Sequence, residues 1–460
     1  MTRIAVVERE KCNPEGCGDF LCIRVCPVNR MGEECIVKSE GKVAINEELC
    51  TGCGICPHRC PFEAISIINL PEELDQDPIH RYGQNGFHLY NLPTPIFGKV
   101  VGILGKNGIG KSTAIKVLAS ILKPNLGKDK EADYDSLIDY FKGSEAQIFF
   151  EKLKEQKIKV AYKPQQVELI PKTQKGTVKD LLKKVDEKKE LDKISRLLSI
   201  DKILDHNIKD ISGGELQRVA IAATVLKKAN LYIFDEPTSY LDIKQRLKVA
   251  KFIKELADEN TAVLVVEHDL IILDYMTDLV HLMYGKPSVY GIVSLPKTTK
   301  AGINVYLSGF LREQNVRFRD YEIRFETKPP TPKRSDHILT SWQGITKKFG
   351  SFSLKADKGE IFKDDVIGIL GENGIGKTSF VRILAEQAKP DKGQVDTKVT
   401  VSYKPQYLEA DSDELVMTVL QKAITKYTNQ LINPLDIKPL LMRKLTELSG
   451  GELQRVSIAL

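Results

Sequence analysis

Apolar runs closed by glycine or by acids recur along this chain, twice in the same order. Residues 99–104 form an apolar run that predicts a buried strand. Gly105-Lys106-Asn107-Gly108-Ile109-Gly110-Lys111-Ser112 follows, and residues 114–122 then show helical periodicity. Tyr162-Lys163-Pro164-Gln165 closes a second strand, and Ile211-Ser212-Gly213-Gly214-Glu215-Leu216-Gln217-Arg218 opens a helix. Leu231–Phe234 is an apolar run shut by Asp235 and Glu236, with Ser239-Tyr240-Leu241-Asp242 just beyond. Residues 262–266 predict another buried strand, ending in Glu267-His268-Asp269. Strands alternating with helices predict a mainly parallel sheet that binds ligands at its strand ends. The pattern restarts at residues 366–370, a predicted strand leading into Gly371-Glu372-Asn373-Gly374-Ile375-Gly376-Lys377-Thr378. It reaches Leu448-Ser449-Gly450-Gly451-Glu452-Leu453-Gln454-Arg455 and stops at Leu460, before a second Asp-Glu strand.

Both glycine-rich loops fit the spacing G-x-x-x-x-G-K-[ST] between a strand and a helix. Glycines let the backbone N–H groups turn toward phosphate oxygens, and the helix N-terminus adds positive potential. Gly105, Asn107, Gly108, Gly110, Lys111, Ser112 and Thr113 are therefore nucleotide candidates. Gly371, Asn373, Gly374, Gly376, Lys377, Thr378 and Ser379 are their counterparts. Lys111 would reach the β- and γ-phosphates, and Ser112 would hold Mg²⁺, as Thr378 would in the second loop.

All nine cysteines fall between Cys12 and Cys60. No secretory pattern precedes them, so metal binding is preferred over disulfides. Cys50, Cys53, Cys56 and Cys60, followed by Pro61, give C-x₂-C-x₂-C-x₃-C-P, the bacterial two-cluster ferredoxin run. Cys12, Cys17, Cys22 and Cys26, followed by Pro27, form a looser set. In the ferredoxin pattern the fourth cysteine of each run crosses to the other cluster. Two [4Fe–4S] clusters are therefore expected, one on Cys50, Cys53, Cys56 and Cys26 and one on Cys12, Cys17, Cys22 and Cys60. Zinc is the alternative, but it favours two short pairs split by a longer loop. Cys35 reads as a small buried residue and His58 as a surface one.

Length and composition frame these motifs. A chain of 460 residues, 42% apolar and 28% charged, is long enough for about three globular domains. No apolar run approaches the length of a membrane span. The net charge of +6 permits nucleic-acid contact without arguing for it. The expected organisation is a ferredoxin-like α+β iron–sulfur domain at 1–74 and a first α/β nucleotide-binding domain at 79–285. A hinge and linker at 286–340 and an incomplete second nucleotide-binding domain at 341–460 follow. A cassette without its Asp-Glu strand is not expected to be stable alone, so the sequence reads as part of a longer protein. The loop lysine and the following glutamine stand 54 positions apart in the first repeat and 29 in the second. The first domain thus carries about 25 extra residues, near 123–157, read as an exposed helix–loop–helix insertion. Arg312, Arg317 and Arg319 make the hinge basic, which suits either nucleic-acid phosphates or a solvated connector.

This order of motifs resembles the ATP-binding-cassette ATPases, and the resemblance covers both repeats. It implies two composite ATP sites: Lys111 facing Ser449, Gly450, Gly451 and Glu452, and Lys377 facing Ser212, Gly213, Gly214 and Glu215. It implies that Asp235 orders the Mg²⁺ shell, that Glu236 polarises the attacking water and that His268 contacts the γ-phosphate. Gln165 and Gln406 would sense Mg²⁺ and the γ-phosphate, and Asp242 belongs to the loop after the acids. Adenine would stack on Tyr82 in the first domain, with Phe87 as competitor, and on Phe349 in the second. A two-cluster ferredoxin head on soluble twin cassettes is similar to the ribosome-recycling ATPases also known as the RNase L inhibitor family. That resemblance implies ATP-driven splitting of ribosomes and binding to the small subunit. The implied partners are a release factor or its stalled-ribosome relative, with initiation factors as further candidates and no membrane. Lys106 and Glu372 stand where proline is common in such loops, and Ile211 replaces a leucine; none supplies a phosphate donor. A redox-coupled iron–sulfur ATPase and a soluble cassette ATPase of another assembly are the alternatives.

Overall fold

The computed structural model describes residues 3–69, 77–324, 337–350, 352–363, 365–397, 401–404, 413–448 and 450–460. The chain divides into two compact units: Met1–Glu8, Pro27–Cys53 and Ile65–Glu326, and Arg9–Cys26, Gly54–Ala64 and Thr327–Leu460. The cysteine-bearing segment is thus shared between them.

In the first unit the continuous apolar runs become parallel strands buried on both faces, as such strands must be between two helix layers. Leu279–Lys286, Val100–Gly105, Ala262–Val266, Leu231–Asp235 and Val160–Lys163 lie side by side and parallel. Side chains of successive residues leave a strand on opposite faces. Tyr232, Phe234, Val263 and Val265 therefore enter one core, with the helices Gly213–Val225 and Ile243–Lys254. Leu231, Ile233, Leu264 and Val266 enter the other, with the helix Lys111–Leu118. At one edge Tyr290–Val293 pairs antiparallel with Leu279–Lys286, and His88–Tyr90 and His80–Arg81 extend the sheet.

The insertion forms two helices, Tyr134–Tyr140 and Glu145–Lys154. It is not the exposed excursion expected. Leu137, Phe141, Phe149 and Phe150 are buried and join the core beneath the loop helix, so the aromatic spacing is an anchor. The hinge is also more ordered than a basic connector, with a helix Thr299–Ser308 and a hairpin of Phe310–Leu311 with Val316–Arg317. Arg319, expected to offer its charge outward, is 7% exposed. It donates to the carbonyls of Tyr306 and Leu307 and lies against the rings of Tyr306, Phe318 and Tyr321. Burying the guanidinium requires those acceptors, so it ties the hinge to itself. Arg317 remains exposed above the Phe310 ring.

The cysteine segment fastens to this unit through backbone and side chains, Lys286 Nζ among them donating to Ser66 Oγ at 3.2 Å. Arg3–Val7 pairs antiparallel with Ile65–Asn69, and Val6 and Ile68 pack with Tyr90, Leu104 and Leu311. Asn85, 2% exposed, accepts from the Ile45 N–H at 2.7 Å and donates to the carbonyls of Ala5 and Ile45, each at 2.9 Å.

In the second unit Ile338–Phe349 pairs antiparallel with Phe352–Ala356, Gly359–Phe362 and Lys392–Thr397. The expected strand at 366–370 is not formed: the segment lies in no strand, and Val366 is fully exposed. Its first-domain counterpart, Val100–Gly105, is held between Ala262–Val266 and Leu279–Lys286. Among the described residues no strand lies beside 366–370.

Candidate nucleotide site and thiol clusters

The strand Val100–Gly105 ends buried and delivers its loop to the tip of the sheet. Gly110 has φ +91°, and a side chain there would meet the Phe87 ring at 2.6 Å, so only glycine fits. Lys111 opens the helix Lys111–Leu118 and is 7% exposed. Its Nζ donates to the carbonyls of Gly105 and Lys106, both at 2.8 Å. Burial pushes its amino group down to about 8, against the pull of Glu236 and Asp235.

A cleft of about 530 Å³ opens over this loop. Its lining brings together Tyr82, Asn107, Gly108, Gly110, Lys111, Ser112, Thr113, Gln165, Asp235, Glu236 and His268, all singled out from sequence. Gly105 stays at the strand end and holds Lys111 through its carbonyl. Two further residues line the cleft: Phe87, weighed as the competitor of Tyr82, and Ser288, which sequence reading missed. Ser288 gives its backbone N–H to the Gly108 carbonyl at 2.9 Å. It comes from a turn far along the chain and carries no local motif. Tyr82 is half-exposed, with its hydroxyl 3.2 Å from Thr113 Oγ1.

Around Glu236 the polar groups are already arranged. Its Oε1 lies 2.9 Å from Gln165 Nε2 and 3.0 Å from His268 Nε2, and Ser239 Oγ donates to Oε2 at 3.1 Å. The His268 hydrogen bond is the main reason the Glu236 carboxyl is held below its ordinary range. Asp235 is 2% exposed, and burial, helped by Glu236, pushes its carboxyl up. A divalent cation would reverse that cost, so the donor set fits Mg²⁺ chemistry.

Ser212, Gly213, Gly214 and Glu215, the signature that would face the opposite phosphate loop, serve a helix start. Ser212 caps Gly213–Val225 in a reciprocal box with Glu215: the Ser212 N–H reaches Oε2 at 2.8 Å. Gly213 and Gly214 form the first turn, and none of the four lines the cleft among the described residues. Asp242 caps the helix Ile243–Lys254, accepting from the Gln245 N–H at 2.9 Å, and does not line the cleft either.

The second loop repeats the first locally. Gly374 and Gly376 have positive φ, and Lys377 Nζ donates to the carbonyls of Gly371 at 2.7 Å and Glu372 at 2.6 Å. Thr378 and Ser379 lie in the first turn of the helix Lys377–Leu384, with Asn373 in the loop before it. A side chain on Gly376 would meet Phe352 at 3.1 Å, as one on Gly110 would meet Phe87. Phe352 is thus the counterpart of Phe87, a match the local sequence hid. Phe349, chosen from sequence, is half-exposed with its ring 6.4 Å from that of Phe352. Gly450, Gly451 and Glu452 begin the helix Gly450–Ala459, and Arg443 pairs with Glu452 at 3.1 Å. Gln406 and Ser449 lie outside the described residues.

Among the described residues no cysteine forms a disulfide. Cys12, Cys17, Cys22 and Cys60 belong to the second unit, and Cys12, Cys17 and Cys60 act electrostatically on Cys22. Burial first, then the neighbouring thiols, pushes Cys22 up to about 11. A buried Cys22 thiol that resists ionising beside its neighbours fits a cationic cluster that would stabilise its thiolate. Of the other set, Cys50 and Cys53 belong to the first unit and Cys26 and Cys56 to the second. Cys35 is buried and His58 exposed, as read from sequence. No three ligating side chains converge on one point among the described residues, and a four-iron cluster, ligated iron by iron, does not require it.

Three family models match the chain. The ABC transporter model matches residues 97–239 and 354–460. A possible Fer4-like domain of RNase L inhibitor matches 2–34, and a 4Fe-4S binding domain matches 43–66. The thiol segment is thus an iron–sulfur segment, and the cassettes bind ATP. An uncharacterized ABC transporter ATP-binding protein of Methanocaldococcus jannaschii is 51% identical over 99% of this chain and 77% of its own length. The structure titled "Model of ribosome-bound archaeal Pelota and ABCE1" is 52% identical with a TM-score of 0.92, covering all of this chain and 78% of that one. The complex of archaeal ribosomal stalk protein aP1 and archaeal ribosome recycling factor aABCE1 is 49% identical with a TM-score of 0.80, covering 84% and 76%. The chain belongs to the RNase L inhibitor family of ATP-binding-cassette ATPases.

Proposed function

We propose that this protein splits ribosomes into subunits by closing its two cassettes on ATP and that it stays on the small subunit. The observation that carries the reading is a joined one. The loop bearing Tyr82 and Phe87 at the nucleotide cleft also bears Asn85, which grips the iron–sulfur segment. Nucleotide state and head position thus share one short loop. In this reading the iron–sulfur domain spans 1–74, the first cassette 79–285, the hinge and linker 286–340 and the second cassette 341–460.

Lys111 and the N–H groups of Gly108 and Gly110 would hold the phosphates, with Tyr82 or Phe87 against adenine. Ser112, Gln165 and Asp235 would hold Mg²⁺ in the first site, and Thr378 and Gln406 in the second. Bound there, the ion neutralises phosphate charge and fixes the γ-phosphate for in-line attack. Glu236 orients the water. Its Oε1, shared between Gln165 and His268, places one carboxylate oxygen beside both groups. A carboxylate held low in pKa is suited to orienting a water and accepting its proton late. The signature at Ser449, Gly450 and Gly451 would complete the first site, and that at Ser212, Gly213 and Gly214 the second. Contacts made only when both sites close supply the differential affinity that can drive a conformational change.

The clusters would be held by Cys12, Cys17, Cys22 and Cys60 and by Cys26, Cys50, Cys53 and Cys56, as structural elements. Relatives described as ribosome-bound with Pelota and complexed with the ribosomal stalk protein support the ribosome, a release-factor relative and the stalk as partners. Among the described residues no helix is long and apolar enough to cross a membrane, which accords with work on ribosomes. The test is co-sedimentation with isolated small subunits. A non-hydrolysable ATP analogue should place the protein in the subunit fraction and ADP should not; equal recovery in both would count against the reading.

A further inference from the structure

The mechanism leaves a fully buried lysine unused. Lys163 closes the strand Val160–Lys163 two residues before Gln165 and is 0% exposed. Lysine is almost never fully buried without a partner that compensates its lost hydration. Here the partners are carbonyls: Nζ donates to Asp235 O at 2.8 Å and to Glu236 O at 3.3 Å.

Those carbonyls belong to an unusual piece of backbone. Glu236 has φ +48°, a left-handed conformation that a side chain disfavours. It also precedes Pro237, and the residue before proline is pushed toward extended conformations. Such a conformation persists only where the surroundings over-determine it. They do: the Glu236 N–H donates to Val266 O at 2.9 Å, and its carbonyl accepts from Gln217 Nε2 at 2.7 Å besides Lys163. Gln217 is also fully buried. The peptide is thus gripped from the strand Ala262–Val266, the helix Gly213–Val225 and the strand Val160–Lys163.

We infer that Lys163 is a positioning residue: its buried ammonium pins the Asp235–Glu236 carbonyls and thereby aims the Glu236 carboxylate at the attacking water. The second repeat spells the same Tyr403-Lys404-Pro405-Gln406, but Lys404 is exposed, so the inference is confined to the first site. The inference rests on the water-orienting role given to Glu236 above, and the test separates the two.

The test is a double-mutant cycle on ATP hydrolysis by the purified protein, with nucleotide affinity read from a fluorescent ATP analogue. Lys163→Met removes the charge and the donors while keeping length and burial. It should lower kcat at least tenfold while KM and analogue affinity change less than threefold. In a Glu236→Gln background it should change the residual rate less than twofold, because the aim of a disabled group no longer matters. Lys163→Gln, which keeps a donor, should recover part of the rate, and it replaces Lys163→Met in the cycle if that variant does not fold. Unchanged kcat in Lys163→Met, or the same fold-loss in both backgrounds, would overturn the positioning role alone. Wild-type turnover by Glu236→Gln would overturn the role of Glu236 and this inference with it.

Discussion

Asn85→Ala should release the iron–sulfur segment from the first cassette without unfolding the cassette. Asn85 sits at 2% exposure with φ +56°. Its side chain accepts from Ile45 N–H and donates to Ala5 O, Ile45 O and Glu47 Oε1, the last at 3.4 Å. Truncation leaves one buried N–H and two buried carbonyls unsatisfied, at about 1 kcal/mol each, or about 3 kcal/mol. Alanine in the left-handed region adds about 1 kcal/mol, which asparagine tolerates better. The anchor should therefore loosen by about 4 kcal/mol, and by about 3 kcal/mol in Asn85→Gly, which removes the bonds but not the backbone freedom. Hydrogen–deuterium exchange read by mass spectrometry resolves this. Peptides covering Arg3–Val7 and Lys42–Ile45 should exchange about a hundredfold to a thousandfold faster, while the strand Val100–Gly105 keeps its protection. Unchanged exchange in the head strands, or an equal rise in Val100–Gly105, would refute the anchoring role.

His88 is buried, and burial, then Arg81, lowers its pKa to about 4. The unfolded chain therefore binds the extra proton between about pH 4 and 6.5, so stability falls as pH drops through that window. Denaturant unfolding should show about 2 kcal/mol of acid loss between pH 7 and 5 that His88→Leu lacks. Phe150 is 1% exposed and packs on Phe141 and Phe149 with ring centroids 5.4 and 5.3 Å away. Phe150→Ala should cost about 3–5 kcal/mol and make the helices Tyr134–Tyr140 and Glu145–Lys154 open to limited proteolysis. Cys22→Ser in anaerobically purified protein should lower iron from about eight to about four per chain, read by iron and sulfide assay, if the crossed ligand sets are right.

What the sequence disclosed depended on how local the cause was. The apolar runs at Leu231–Asp235 and Ala262–Val266 declared themselves because a parallel strand buried on both faces has no polar positions. Gly110 and Lys111 were legible because loop geometry dictates their spacing, and the cleft gathers them with Gln165, Glu236 and His268. Asn85 was not, because its partners lie 40 and 80 residues away and a Gly-Gln-Asn-Gly run reads only as a turn. Arg319 misled for a similar reason: composition gives its charge, but only the packed hinge shows the carbonyls that absorb it. Phe352 escaped notice because the aromatic positions are spaced differently in the two repeats. The run at 366–370 shows the limit of pattern reading, since an apolar segment becomes a strand only where another strand accepts its hydrogen bonds.

The central claim, that closure on ATP separates ribosomal subunits, is tested most directly on a density gradient. Whole ribosomes are incubated with the protein, a release factor and either ATP or ADP, and then sedimented. The account predicts loss of the whole-ribosome peak and gain of both subunit peaks with ATP, with the protein in the small-subunit fractions. It also predicts that Glu236→Gln remains on the small subunit after one round. Whole ribosomes surviving with ATP at the level seen with ADP would contradict it.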